Sequence, residues 1–155
     1  MTLDDDVKRL ARIPLFAELD ANALRLLAFS AEAKILSTGD VLFEAETTGD
    51  CGYVIVSGSL QLDSQGAKGR SRIARADALV GELALLVDIR RNVIATAREP
   101  TRVLKIARTL FRRVLEEFPD AALRMRGQLA RRMAAVSDEL EAVSLSPRAT
   151  GMRPR

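Results

Sequence analysis

Apolar positions along this chain follow two periods, one helical and one that alternates. Val7, Leu10 and Ala11 recur at helical spacing behind Asp4, Asp5 and Asp6, which stand where a helix dipole favours negative charge, and Ile13-Pro14 stops the pattern. A second helix is predicted over residues 21–29, with Asp20 as its N-cap and Leu24, Leu27 and Ala28 on one stripe. From Ala33 the period shortens: Lys34-Ile-Leu-Ser37, a Thr38-Gly39-Asp40 turn, Val41-Leu-Phe43, a polar stretch over 44–52, Tyr53-Val-Ile-Val56 and Leu60-Gln-Leu62. Short strands this closely spaced predict a barrel or a sandwich. Residues 63–72 read as a polar hairpin tip with solvated basic residues, and Ile73-Ala-Arg75 resumes a strand.

Two more strands, Val93 to Ala97 and Arg102 to Ile106, are separated by Glu99-Pro100. Thr109 is the predicted N-cap of a helix over 110–118 whose apolar face is Phe111, Val114, Leu115 and Phe118. The last helix is predicted to start at Pro119-Asp120 and to run to about Val143. Its apolar residues Ala122, Met125, Leu129, Met133, Val136, Leu140 and Val143 recur every three or four positions, the seam of a helix packed on another helix. A second copy of the chain and the protein's own core would both satisfy that seam; the expectation is a homodimer through this helix.

The elements predict a mostly β domain with flanking helices, an α+β fold. With 48% apolar residues in 155, one core is affordable, and one domain over 1–143 is expected: 13–118 as barrel and flanking helices, 119–143 as the long helix. Residues 144–155, with two prolines, a glycine and three arginines, are expected to be a disordered basic tail.

Charge narrows the partners. The formal net charge is +3, and removing residues 144–155, which carry three arginines and no acid, brings it to zero. A neutral body argues against nucleic acid as its main partner. The single cysteine, Cys51, precludes an internal disulfide; with no histidine, the usual zinc ligand sets and the commonest general base are missing. No Gly-x-Ser-x-Gly elbow and no phosphate loop ending in Gly-Lys-Ser/Thr is present, so no catalytic residue is assigned and no enzyme is expected. The N-terminus lacks a basic segment followed by an apolar one, and no apolar run approaches the roughly 18 residues of a membrane span, so a cytoplasmic protein is expected.

Candidate chemistry concentrates in residues 79–93, where Gly81, Glu82, Arg90 and Arg91 stand among apolar residues. Gly39-Asp40…Phe43, Gly49-Asp50…Tyr53-Val-Ile-Val-Ser-Gly58-Ser and Gly81-Glu82-Leu83-Ala84-Leu85 with Arg91 beyond it resemble the cyclic-nucleotide-binding domain family, over roughly residues 13–143. The resemblance implies a jelly-roll β-barrel with N-terminal helices and a long C-terminal helix, as in the sensor domain of catabolite-activator-type regulators. It implies that residues 81–91 are a phosphate-binding cassette. In that reading Arg91 pairs with the cyclic phosphate, Leu83 and Ala84 offer helix N-terminal N–H groups to it, Glu82 accepts from the ribose 2′-hydroxyl and Gly81 leaves room for the sugar. The implied ligand is cAMP by family frequency, with cGMP the alternative, and no metal.

Two departures mark this chain. The family usually follows its arginine with a small residue and then alanine, whereas Asn92 and Val93 stand here. Asn92 either donates to the phosphate in place of a hydroxyl or crowds the anion out. The family often has glycine where Glu46 stands, and a glutamate is expected to disfavour positive φ and change the loop. Two functions follow: a regulatory sensor that binds a cyclic nucleotide and relays it to an unknown protein partner, or a degenerate, ligand-free barrel that serves as a dimerisation or interaction module. The expectation is no direct sequence-specific DNA binding, because no helix-turn-helix follows Val143.

Overall fold

The computed structural model describes residues 2–64 and 69–144, with the side chains of 132, 133 and 135–144 outside the description. Helix α1 (Leu3–Ala11) is started by a capping box: the Thr2 hydroxyl accepts from the Asp5 N–H, and the Asp5 carboxylate accepts from the Thr2 N–H at 3.0 Å. A short 3-10 turn at Pro14–Phe16 leads to α2 (Ala21–Ser30), capped as expected by Asp20, whose Oδ1 accepts from the Ala23 N–H at 3.0 Å.

Ten strands follow: β1 (Glu32–Leu36), β2 (Val41–Phe43), β3 (Thr48–Gly49), β4 (Cys51–Ser57), β5 (Ser59–Ser64), β6 (Ser71–Arg75), β7 (Leu79–Val80), β8 (Ile89–Arg90), β9 (Val93–Ala97) and β10 (Thr101–Ala107). Helix α3 (Leu83–Leu86) lies between β7 and β8; α4 (Arg108–Glu117) and α5 (Pro119–Ser144) close the order. All pairs are antiparallel, and they nest: β1 with β10, β2 with β9, β3 with β8 and β4 with β7. The strand region is one long hairpin rolled up with β5 and β6 near its tip, the jelly-roll path. Among the described residues its sheets run β1-β10-β4-β7, β2-β9-β5-β6 and β3-β8, and none closes on itself.

Two apolar clusters result. Inside the roll lie Tyr53, Ile55, Leu60, Leu62, Val80, Ala95 and Val103, while Val54, Val56, Leu104 and Ile106 point the other way onto the helices. The first six residues of β4 are therefore buried, because both faces of this strand are covered. The helical cluster gathers Leu10, Leu15, Phe16, Leu27, Phe111 and Met125, with the Phe16 and Phe111 rings 5.7 Å apart. Burying a side chain of this size stabilises by roughly 1.5–3 kcal/mol before entropy is charged against it.

Several expectations are corrected. Thr109 is not the cap of α4: Arg108 is already helical, Ala107 holds the N-cap position, and no side chain caps it. Cys51, within the stretch over 44–52 read as polar, sits in strand β4 and is buried. Strand β3 and the start of β4 lie inside the polar stretch over 44–52, because pairing with β8 and β10 overrides weak local propensity. Glu46 adopts a positive φ of 67° after all. Its N–H donates to the Arg91 carbonyl at 2.7 Å, and Arg90 donates to its carbonyl at 2.9 Å and pairs with its carboxylate at 3.1 Å, so tertiary bonds offset the strain. On α5, Met125 belongs to the helical cluster together with Ala121, and Leu129 packs against it, so part of the apolar seam serves the protein's own core; Ala122 is buried as well. Met133, Val136, Leu140 and Val143 fall on side chains outside the described residues, as does the expected tail.

Candidate functional site

The site is built where β7 ends, α3 begins and β8 passes into β9. Gly81 takes a φ of 81°, which only glycine adopts without strain, and a Cβ there would stand 2.7 Å from Nη1 of Arg91. Gly49 of β3 makes room from the other side, since its Cβ would lie 3.2 Å from the Arg91 guanidinium carbon and 3.1 Å from Ala84. Absent side chains thus form a slot for the arginine. Its backbone is fixed at both ends: the Arg91 N–H donates to Thr47 O and its carbonyl accepts from the Glu46 N–H, each at 2.7 Å.

Arg91 is 6% exposed. Its Nη2 donates to the Cys51 carbonyl oxygen at 2.8 Å, and the guanidinium carbon lies 4.1 Å from the Phe43 ring centroid and 5.9 Å from that of Tyr53. The two rings stack, with centroids 6.0 Å apart. Burial of Tyr53, reinforced by its contact with Cys51, pushes its hydroxyl pKa well above the ordinary phenol value, so the ring stays neutral beside the arginine. None of these partners of Arg91 carries a formal charge. A buried guanidinium held by a carbonyl and aromatic faces keeps donor capacity for an anion.

A pocket of about 310 Å³ opens beside it, lined among others by Gly81, Glu82, Leu83, Arg91 and Asn92. Five of the six predicted site residues therefore share one cavity. Ala84 is placed differently: it is fully buried and does not line the pocket, and its N–H donates to the Gly81 carbonyl at 3.1 Å. Glu82 has helical dihedrals at the N-cap position of α3, and Asn92 is exposed at the pocket mouth. A larger cleft of about 480 Å³ between Ser30, Lys105 and Arg113 is lined by no buried charged side chain.

Three contributors were not singled out in the sequence. Phe43 belongs to the recognised motif, but its place beneath Arg91 depends on β2 folding over β9. Arg108 is 8% exposed; its Nε donates to Ala84 O and its Nη2 to Gly49 O, both at 2.8 Å, and its Nη1 pairs with Asp88. That arginine ties α4 to both sides of the slot, and no periodicity announces it. Arg72, read as part of a solvated tip, instead lies in β6 and lines the pocket.

A profile of the cyclic nucleotide-binding domain matches residues 33–118, more than half of the chain. The chain belongs to the cyclic nucleotide-binding domain family. Among solved structures, this cyclic nucleotide-binding domain is 38% identical to a cyclic nucleotide-binding-like protein from Brucella abortus bv. 1, covering 73% of this chain and 99% of that one with a TM-score of 0.67. The N-terminal domain of a transcriptional regulator from Streptomyces coelicolor A3(2) is 29% identical over 85% of this chain and 94% of its own, with a TM-score of 0.78. The cAMP-dependent protein kinase regulatory subunit of Yarrowia lipolytica is 24% identical over 68% of this chain; the match spans only 28% of that curated relative. The family and these likenesses support a regulatory domain. Among the described residues no helix is long and apolar enough to cross a membrane.

Proposed function

We propose that this domain is a cytoplasmic regulatory sensor whose pocket takes a purine cyclic nucleoside monophosphate, cAMP or cGMP, and relays its presence to a partner protein. One observation carries the reading: Arg91 is buried, its partners are uncharged, and it faces a pocket of nucleotide-compatible size. Desolvating a guanidinium costs several kcal/mol, and a singly charged phosphate offsets that cost through charge-assisted, bidentate bonds. In this reading Arg91 holds the phosphate, Gly81 lets the sugar approach, Glu82 accepts from the 2′-hydroxyl, and Leu83 and Asn92 flank the ligand. The Ala84 N–H joins the phosphate only if α3 shifts to release it from the Gly81 carbonyl. Such a shift would reach α4 through Arg108, which holds the Ala84 carbonyl, and then α5. The three-and-four spacing of apolar residues along α5 supports a homodimer contact there.

A second reading, the ligand-free interaction module, is favoured by one observation: Cys51 O and the Phe43 ring already engage Arg91. A thermal-shift series separates the two. A binding sensor gains stability as RT ln(1 + [L]/Kd), so its midpoint climbs with cyclic nucleotide concentration. A midpoint that does not move with either nucleotide supports the module.

A further inference from the structure

The sheet β1-β10-β4-β7 ends on β1, and among the described residues no strand pairs with the outer edge of β1. Its register with β10 sets Ala33 opposite Leu104, Lys34 opposite Val103 and Ile35 opposite Arg102, and directly opposed residues share a face. Leu104 packs into the helical cluster and Val103 into the roll. Ile35 and Arg102 therefore lie on the face turned to the helices, yet the helices leave Ile35 79% exposed. Lys34 lies on the other face, together with Glu32 and the Lys105 opposite it.

This edge carries a surplus of positive charge. Among the described residues Lys34, Arg102 and Lys105 form no side-chain hydrogen bond or ion pair, and Nε of Arg102 is shut off from solvent without an acceptor. Glu32 is the one carboxylate in β1 and β10. Beyond Glu32 the edge meets the cleft of about 480 Å³, which adds Arg113 to Lys105. Charges on an edge strand often do no more than deter pairing, but a deterrent edge has no use for an isoleucine turned to solvent. A second copy of the chain fits poorly, because self-pairing brings the cationic surplus of two edges together.

We propose that β1 is a docking edge for an extended acidic segment of a partner protein, which adds to the sheet as an antiparallel strand whether or not the pocket holds a nucleotide. The main-chain groups of β1 supply the affinity open to any extended segment, and the side chains supply the choice. Carboxylates at alternate positions answer Lys34 and Lys105 on one face, and β-branched side chains cover Ile35 on the other. A strand of five residues gives a small contact, of the size found in transient signalling encounters.

Amide NMR of the isotope-labelled full chain, titrated with the capped peptide Glu-Val-Asp-Ile-Glu-Val-Asp, tests this. The control peptide carries glutamine and asparagine in place of the acids. The expected result is saturating shifts centred on residues 32–36 and 101–105, with a dissociation constant below about 1 mM and slowed amide exchange in β1. The control peptide should bind at least about tenfold more weakly, and Lys34→Glu or Ile35→Asp should each weaken the acidic peptide at least about fivefold. No saturable shift up to about 5 mM, shifts centred elsewhere, unaltered exchange in β1, or equal binding of the two peptides would overturn the docking edge. A dimer of the unaltered chain in sedimentation, lost in Ile35→Asp, would assign the edge to a second copy and overturn it as well. Ile35 is exposed and Lys34 half-buried at the edge, and unchanged melting of the variants confirms that they fold.

Discussion

Arg108, the first residue of α4, donates through Nε to the carbonyl oxygen of Ala84 at 2.8 Å, so the start of one helix grips the cassette helix from behind. The same guanidinium reaches Gly49 O at 2.8 Å and the Asp88 carboxylate beyond α3. Cassette, β3 and α4 are thereby one mechanical unit, and displacement of α3 pulls on α4 directly.

Truncation at that point should be costly. Arg108→Ala leaves the Ala84 and Gly49 carbonyls without their partner in a buried setting, and a loss of about 2–3 kcal/mol in unfolding free energy is expected by chemical denaturation. Arg108→Lys should recover only part of it, since an ammonium cannot hold three separated acceptors as a planar fork does. A loss below about 0.5 kcal/mol in the alanine variant would contradict the clamp.

Gly81→Ala tests the slot. The φ of 81° strains any side chain, and a Cβ 2.7 Å from Arg91 Nη1 must displace a guanidinium that the Cys51 carbonyl and the Phe43 ring hold in place. About 1–3 kcal/mol of stability should be lost, measured by denaturant unfolding, together with cyclic nucleotide affinity. A variant as stable as the parent with unchanged binding would show that the slot is loose.

Glu46→Gly should have the opposite sign. Glycine relieves a left-handed conformation costing about 1 kcal/mol or more, whereas the Arg90–Glu46 ion pair it removes has both side chains 70% exposed and contributes at most a few tenths. A net gain of about 0.5–1 kcal/mol is expected from thermal unfolding. Destabilisation would mean that the ion pair, not the backbone bonds to Arg91, holds the turn.

Acid should weaken the clamp at a definite place. Hydrogen bonding to the Arg108 guanidinium, then its charge, holds the Asp88 carboxyl below its ordinary value of 3.8; its folded pKa is lowered relative to the unfolded chain. The corresponding stability is fully present above that ordinary value and is lost as pH falls through the lower, folded one. Asp5, held down by the Thr2 N–H and hydroxyl, titrates in the same direction at the start of α1. Asp88→Asn should flatten the acid limb of the stability profile and leave neutral pH to Arg108's two carbonyl bonds; an unchanged limb would contradict the pairing.

Much of this architecture was legible before any coordinates. The Asp20 cap, the Phe111 and Val114 face and the glycine-rich turns are local signals, and the structure keeps them. The Gly81-Glu82…Arg91 set was legible because motif spacing survives where each residue must meet its neighbour. What sequence could not show was long-range: nothing local singles out Arg108, and Arg72 reads as part of a solvated tip, because their surroundings come from β3, α3 and β5. Glu46 misled for the same reason. Its strain is compensated by Arg90 and Arg91, more than forty residues away.

The claim that Arg91 is an anion-binding residue is tested most directly by isothermal titration of the unaltered chain and of Arg91→Ala with cGMP and cAMP. The account predicts one saturable site per chain and a loss of at least ~2 kcal/mol, about 30-fold in affinity, on removing the guanidinium. Unchanged affinity in Arg91→Ala, or no heat with either nucleotide on the unaltered protein, would contradict it.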